Sequence, residues 1–418
     1  KGLLDMRNNV LPDLADQVGE LAGKFADTIN AAHNASTAYP PPASLTGNNT
    51  GLLSTDLQGF TGKTEFAALD SSGKVVNSVT IDFGAMPAGS TIADVVNAVN
   101  AGLGGAATMS FNNGVMSFTG AGGNKVATGQ VPGAGSDRGG HGFSQFFGLN
   151  DLVTAAVPSN FDTGFSATDA NGFTPGGTMS LQLIGPGGDI ASSYNLTMAG
   201  GSFNTILSDL NANMGGKVTF SMDSNGALVE TPAPGYEGYG IHVVSDSTSR
   251  GATGTSFSQL FGLGNPYTAD AANGLGVTST ITNDQNRVAL GTLDTTAAVG
   301  NYALAAGDNS GAQALANVAN QTVNFADFGD LKSIHGTLNQ YAAMVLSNAG
   351  LKAAQADQLT QDAQSLSQEI NQRQSDASGV NLDEELSNMI VYQNAYAAAG
   401  RVIKTAQDVY NSLLQAVS

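Results

Sequence analysis

Four histidines, His33, His141, His242 and His335, are the side chains best suited to proton transfer or metal ligation, and their spacing supports neither role. Two imidazoles gripping a metal from one helix need an HExxH-like step of four residues. These four lie scattered, so surface or capping positions are expected for each. The segment GFTGKT, residues 59–64, ends like a phosphate-binding loop. Such a loop requires a glycine five residues before Gly62, where Leu57 stands, and an apolar strand in front of it, which is missing. GPGGD, residues 185–189, looks like part of a calcium nonapeptide repeat, but that repeat binds only as stacked copies and this one occurs once. A hairpin turn is the expectation there. No GxSxG nucleophile motif occurs. Paired glycosidase carboxylates leave no linear signature. With no cysteine, disulfides and thiolate metal sites drop out. The expectation is a chain with no catalytic residue, no cofactor and no metal.

Composition narrows the partners. The formal charge is −19, with 15 Lys and Arg against 34 Asp and Glu. Nucleic-acid affinity rests largely on clustered cations that release counterions, so DNA, RNA and anionic membranes are disfavoured. No run of about 18 apolar residues could span a bilayer, and no basic-then-apolar leader marks a Sec signal. Charged residues make up 12% of the chain while glycine reaches 54 of 418, which implies a neutral-polar surface. This length predicts two to four domains. The chain opens KGLLDM without an initiator Met, as expected of a fragment whose N-terminal part is missing.

The elements follow from periodicity. Leu11, Leu14, Val18, Leu21, Phe25 and Ala32 recur at helical steps, predicting a helix over about 10–33 with that stripe inward, Pro12 in its first turn and Asn8 or Asn9 as cap. Residues 1–35 form this helical segment, and the proline-rich 36–54 reads as a linker. From 55 to 270 short alternating strands and glycine turns take over, and one unit appears twice, over 55–155 and 156–270. Each copy has a hairpin, a short helix, a second hairpin and a near-identical ending, FSQFFGL at 143–149 and FSQLFGL at 257–263. The endings lie 114 residues apart, and Asn100 and Asn211 at the helix ends 111 apart, as a tandem duplication of an α+β domain requires. One helical turn closed by a left-handed glycine would bury Phe143, Phe146 and Leu149, and likewise Phe257, Leu260 and Leu263. An exposed, twice-repeated aromatic binding patch is the alternative. Residues 271–330 read as a connecting β and loop region.

Over 331–418 helical periodicity returns. Leu338, Tyr341 and Val345 open it, Leu359, Ala363, Leu366 and Ile370 continue it past a possible break at Gly350, and Gly379 and Asn381 mark a stop and a new N-cap. Asp383, Glu384 and Glu385 suit the positive end of the last helix. In that helix Leu382, Met389, Tyr392, Tyr396, Ala399, Ile403, Ala406, Tyr410, Leu413 and Val417 form a coiled-coil-like seam, expected to be an assembly interface. Packing on the preceding helix is compatible with it.

The run SGVNLDEELSNMIVYQNAYAAAGRVIKTAQDVYNSLL, 378–414, resembles the terminal signature shared by rod, hook and hook-associated proteins of the bacterial flagellum. LLDMRNNVLPDLADQVGELAGKFADTINAAHN, from residue 3, resembles the long helical segment of the hook-associated protein 1 family of hook–filament junction proteins. The resemblance implies an α+β multidomain axial subunit, in which long terminal coiled-coil-like helices flank a tandem pair of β-rich outer domains. It further implies a non-enzymatic, extracellular flagellar component, exported through the type III apparatus with the help of an export chaperone. Its implied partners are identical subunits, hook protein and a neighbouring hook-associated protein or flagellin. A hook or filament subunit, or a glycan- or host-binding module carried by the duplicated domains, is the alternative. The missing beginning would lie against the last helix.

Overall fold

The computed structural model describes residues 2, 6–155, 161–214, 216–264 and 266–417. It divides into two compact units, Lys1–Asn348 and Ala349–Ser418.

In the first unit, helix α1 (Leu11–Asn34) carries Pro12 in its first turn. A π-helical turn, Met6–Val10, precedes it, so Val10 rather than Asn8 or Asn9 holds the cap position and no side chain caps the helix. Only part of the apolar stripe faces inward: Ala32 is buried, Leu21 packs beside it and Leu14 is half-buried. Leu11, Val18 and Phe25 are exposed, while Gln17, Ala22, Ala26, Asn30 and His33 are buried. The cause is what α1 packs against: loop backbone, which needs hydrogen-bond partners and close approach more than hydrocarbon. The Asn30 side-chain oxygen accepts from the Leu152 and Val153 N–H groups, both at 3.0 Å, and Asn34 accepts from Ser144 Oγ (2.8 Å) and Asn150 N–H (2.9 Å). A Cβ on Gly19 would stand 1.7 Å from the Thr268 carbonyl oxygen, so only glycine lets the two backbones meet.

The segment expected to be a linker contains a strand. Strand β1 (Ser44–Asn49) runs antiparallel to β5 (Val115–Gly120), whose other neighbour is β4 (Ala107–Asn112). Its polar run Thr-Gly-Asn-Asn lacks the alternation that reveals a strand from sequence, and its partner lies some seventy residues away. A second sheet joins β2 (Lys63–Leu69) to β3 (Val75–Asp82) and β6 (Lys125–Gln130). Helix α2 (Ile92–Leu103) starts on a capping box in which Thr91 and Asp94 satisfy each other's backbone, and ends on left-handed Gly104. The closing turn α3 (Phe143–Phe147) ends at Gly148 with φ 64°.

After β7 (Val153–Thr154) the same order of elements recurs: β8 (Thr178–Ile184), β9 (Ile190–Thr197), α4 (Phe203–Asn213), β10 (Val218–Met222), β11 (Leu228–Pro232), β12 (Gly240–Asp246) and the turn α5 (Phe257–Phe261). GPGGD is the β8–β9 turn, closed by the Gly185 N–H on the Asp189 carbonyl at 2.8 Å. In both halves a helix asparagine clamps the next strand. Asn100 bonds both backbone groups of Met109 (2.9 and 2.7 Å), and Asn211 both of Phe220 (2.9 and 2.7 Å).

The two closing turns are buried. Phe143, Phe147 and Leu149, and Phe257, Leu260, Phe261 and Leu263, lie in the core, whereas Phe146 is half-buried. The inward pair is i, i+4, the natural repeat of one α-turn. The two halves do not have separate cores: one contiguous cluster runs from Leu45 to Leu263. Two fully buried arginines hold the seam between the halves. Arg250 forms a bidentate pair with Asp56 (2.7 and 2.8 Å), and Arg138 donates to the Thr163, Leu57 and Gln58 carbonyls (3.1, 2.8 and 2.7 Å). The Phe165 ring faces both guanidinium groups, at 5.2 Å from Arg138 and 4.5 Å from Arg250.

The connection from 271 to 330 returns to the earlier elements. Helix α6 (Pro266–Asp270) lies on α1, and β13 (Gly276–Val277) pairs with β7. Short helices α7 (Ser279–Asn283) and α8 (Ser310–Asn317) follow, and a hairpin of β14 (Thr322–Phe325) and β15 (Ile334–Thr337) leads into α9 (Leu338–Ser378). Leu338, Tyr341 and Val345 at its start are buried, with the Tyr341 ring stacked on Phe325 at 4.1 Å. The second unit holds the rest of α9 and α10 (Leu382–Val417). Gly350 breaks nothing; α9 runs through it.

Candidate assembly surface

Gly379, after α9, donates its N–H to the Ser375 carbonyl at 2.6 Å. Asn381 then caps α10, its side-chain oxygen accepting from the Asp383 N–H at 3.2 Å and its carbonyl from Glu385 at 2.9 Å. Asp383, Glu384 and Glu385 fill the first turn, where the helix dipole favours negative charge. The helix is 36 residues long, about 54 Å at 1.5 Å per residue.

Every described side chain of α10 is exposed. On the expected seam Leu382 is 77% exposed, Tyr392 72%, Tyr396 84% and Ile403 60%; Met389, Ala399, Ala406, Tyr410 and Leu413 are exposed too. The Val417 side chain lies outside the described residues. The backbone places the expected residues in one line, yet no described residue of the second unit covers them. Further apolar positions, outside the seam as read from sequence, are also in solvent: Leu386, Ile390, Val391, Val402, Val409 and Leu414. Val402 and Val409 directly precede Ile403 and Tyr410 and widen the apolar face beyond a two-position seam. Late in α9, Leu351, Leu359, Leu366 and Ile370 are exposed as well. Apart from the backbone of α10 itself, no described residue stands within 4 Å of where a Cβ on Gly400 would sit.

The histidines depart from expectation. His242 and His335 are exposed, but His33 and His141 are buried. The His33 Nδ1 faces the Asn150 carbonyl oxygen at 2.5 Å and its Nε2 accepts from the Ala289 N–H at 2.8 Å, which fixes a neutral tautomer; burial lowers its pKa. The His141 Nδ1 faces the Gly139 carbonyl (2.8 Å) and its Nε2 the Asp27 carboxylate (3.1 Å). Burial opposes its charge, but the Asp27 hydrogen bond and the Asp27 and Asp162 charges prevail and raise its pKa. Both histidines are structural ties from α1 to the first half. They line or neighbour a polar cleft of about 470 Å³ bordered by Asp27, Gln145, Asp151 and Asp162. Among the described residues no three His, Asp or Glu side chains are placed to hold a metal ion. No described helix is long and apolar enough to cross a membrane.

Sequence inspection missed Arg138, Arg250 and Asp56. The signal was an Arg-Gly pair shortly before each closing heptapeptide, at 138–139 and 250–251.

Known proteins resemble this surface first as a class. Residues 371–416 match the family described as "Flagellar basal body rod FlgEFG protein C-terminal", a span that contains nearly all of α10. Individual relatives are flagellar hook-associated protein 1 of Bacillus subtilis, 32% identical over 104 residues, and the protein of the same name in Salmonella typhimurium, 32% identical over 107. The matches cover 25% and 26% of this chain and span only 19% and 18% of those relatives. The solved structure of the flagellar hook junction protein FlgK from Burkholderia pseudomallei aligns over 90% of this chain and 62% of that one. Its identity is 15% and its TM-score 0.22, a superposition too poor to bear on the fold.

Proposed function

We propose that this chain is a structural subunit of the bacterial flagellum at the hook–filament junction and that it assembles through α10. One observation carries the reading: the stretch that matches the rod-protein C-terminal family is the stretch where a capped 36-residue helix leaves every described residue of its apolar seam in solvent. Leaving so much hydrocarbon in water is costly, and association removes that cost at about 25 cal/mol per Å² buried. The partners in this reading are identical subunits, hook protein and a neighbouring hook-associated protein or flagellin, reached after type III export with a chaperone. The protein acts by assembly, outside the cell, and not by catalysis. The two halves of the β-rich region are a tandem duplication; the same order of elements, the paired asparagine clamps and the paired closing turns support this.

The test is motility of a strain that lacks its own junction protein and carries this chain with Tyr396→Asp or Ile403→Asp. A charge at either position must be desolvated when the seam is covered, at several kcal/mol without a partner. Swimming is lost and the secreted subunit stays unincorporated. Lys404→Ala and Asp408→Ala, off the seam, leave swimming intact. A tolerant seam with intolerant Lys404 and Asp408 would show that the opposite face of α10 is the buried one.

A further inference from the structure

The two halves differ at one corner. The strand registers and bulges align Leu69 with Ile184 and Lys125 with Gly240, so Asp70, Lys74, Val75 and Asn124 correspond to Gly185, Asp189, Ile190 and Tyr239. The turn bonds agree: Asp70 donates its N–H to the Lys74 carbonyl at 2.9 Å, and Gly185 donates to that of Asp189 at 2.8 Å. In the first half the chain itself closes this corner. The Val75 N–H donates to the Asn301 carbonyl (2.9 Å), the Lys74 ammonium lies 4.8 Å over the Tyr302 ring, and Val75 is 3% exposed. In the second half Ile190 is 56% exposed, and residues 186–189 are exposed beside it.

Three differences at equivalent positions fit one another there. Asp70 ties its turn through the Ser72 and Lys74 N–H groups (2.8 and 3.0 Å), a role its counterpart Gly185 gives up. Glycine provides room for a ring instead: a Cβ on Gly185 would stand 2.7 Å from Cε1 and Cζ of Tyr239. At the position of Lys74, Asp189 accepts the Tyr239 hydroxyl at 2.8 Å. The ring is thus held by the Gly185 backbone and again at its hydroxyl. The β5–β6 connection, 121–124, becomes the longer APGYEGY, 233–239, which folds as two consecutive turns. The Tyr236 N–H donates to the Ala233 carbonyl (2.9 Å) and the Tyr239 N–H to that of Tyr236 (3.1 Å). Gly235 (φ 90°) and Gly238 (φ 81°) take the third positions, where a type II turn needs a left-handed residue. The two tyrosine rings meet edge to face at 5.3 Å, each half-buried, and the exposed Glu237 stands between them in sequence.

We propose that this corner, Tyr236 and Tyr239 flanked by Asp189 and Glu237, binds a neutral saccharide. The C–H face of a pyranose is slightly positive and stacks on the negative face of a tyrosine ring. Its hydroxyls donate to the two carboxylates, each with about four acceptor positions. A ring and a loop already held in place lose little conformational freedom on binding. A cationic ligand is disfavoured, because the Lys217 ammonium lies 5.8 Å from the centre of the Tyr236 ring. A proline-rich peptide needs a groove between aromatic side chains, and rings in contact with each other leave none between them. The proposal does not depend on assembly through α10.

The probes are maltotetraose, cellotetraose and chitotetraose, each titrated into the full chain while its amide and tyrosine resonances are followed. At least one shifts residues 185–190 and 233–239 at about 10 mM or below and leaves 70–75 and 121–124 unmoved. Tyr239→Ala weakens that binding about tenfold through loss of a stacked ring. Should this variant lower the thermal midpoint, the exposed change Asp189→Asn takes its place and weakens binding about threefold with the midpoint unchanged. Failure of all three saccharides to shift 185–190 and 233–239, an equal response at 70–75, or binding that neither variant weakens overturns the proposal. Shifts at this corner from a proline-rich peptide or from tetramethylammonium, with none from the saccharides, overturn it in favour of that ligand.

Discussion

Asp56 and Arg250 sit at the point where the two halves of the β-rich region meet, 7% and 0% exposed, joined by two charge-assisted hydrogen bonds. Removing one partner leaves the other charge buried and unpaired, so Asp56→Ala is expected to cost about 3–5 kcal/mol in urea unfolding. Replacing both with apolar residues costs much less, and an equal loss in the double variant would mean that Asp56 matters for a different contact. His141 gives a pH-dependent counterpart. Its folded pKa lies above the ordinary 6.5, so the His141–Asp27 tie contributes fully below about pH 6.5 and is lost as pH rises through the folded value. Burial works against the Asp27 charge, but the bonds from His141 and Gln145 and the His141 and Lys24 charges hold its pKa below 3.8; the tie therefore persists through mild acid and fails only as pH falls through that lower value. The stability difference between the native chain and His141→Gln accordingly shrinks as pH rises above about 6.5 through the folded value of His141. A difference that grows over this range would show that His141 is neutral when folded.

At the level of elements, the two closing turns give the clearest agreement between pattern and packing, because a one-turn helix ended by a left-handed glycine has few ways to hide three apolar side chains. Phe147→Ala or Phe261→Ala removes a buried ring and is expected to cost about 3–5 kcal/mol. The common core changes how that loss appears. With one hydrophobic cluster running through both halves, either substitution lowers the midpoint of a single unfolding transition for the whole β-rich region. Two separated transitions, one shifted and one unmoved, would establish independent cores. Helix α1 teaches the opposite lesson. Its heptad-like apolar residues suggested an inward stripe, yet Leu11, Val18 and Phe25 face out and the amides face in, since the neighbours are loops with unsatisfied backbone groups.

On the scale of the whole molecule, the compact unit Lys1–Asn348 holds all three hydrophobic clusters, and none of their members comes from α10. A chain truncated before Leu382 therefore keeps its unfolding midpoint and its β-sheet circular dichroism while it fails to join filaments to hooks; a truncated chain that restores swimming would remove α10 from the assembly. The sequence by itself determined what depends on local periodicity and short turns: the long C-terminal helix with its Asn381 cap, the repeated order of hairpin, helix and hairpin, the GPGGD turn and the buried closures. These are set by residues within a few positions of one another, where spacing reports the face. Only the tertiary structure decided that residues 44–49 are a strand, that two of four histidines are buried, and that Asp56 meets Arg250 across nearly two hundred residues. Each of those depends on which backbone groups distant segments leave unpaired, a quantity that no local pattern of apolar and polar residues encodes.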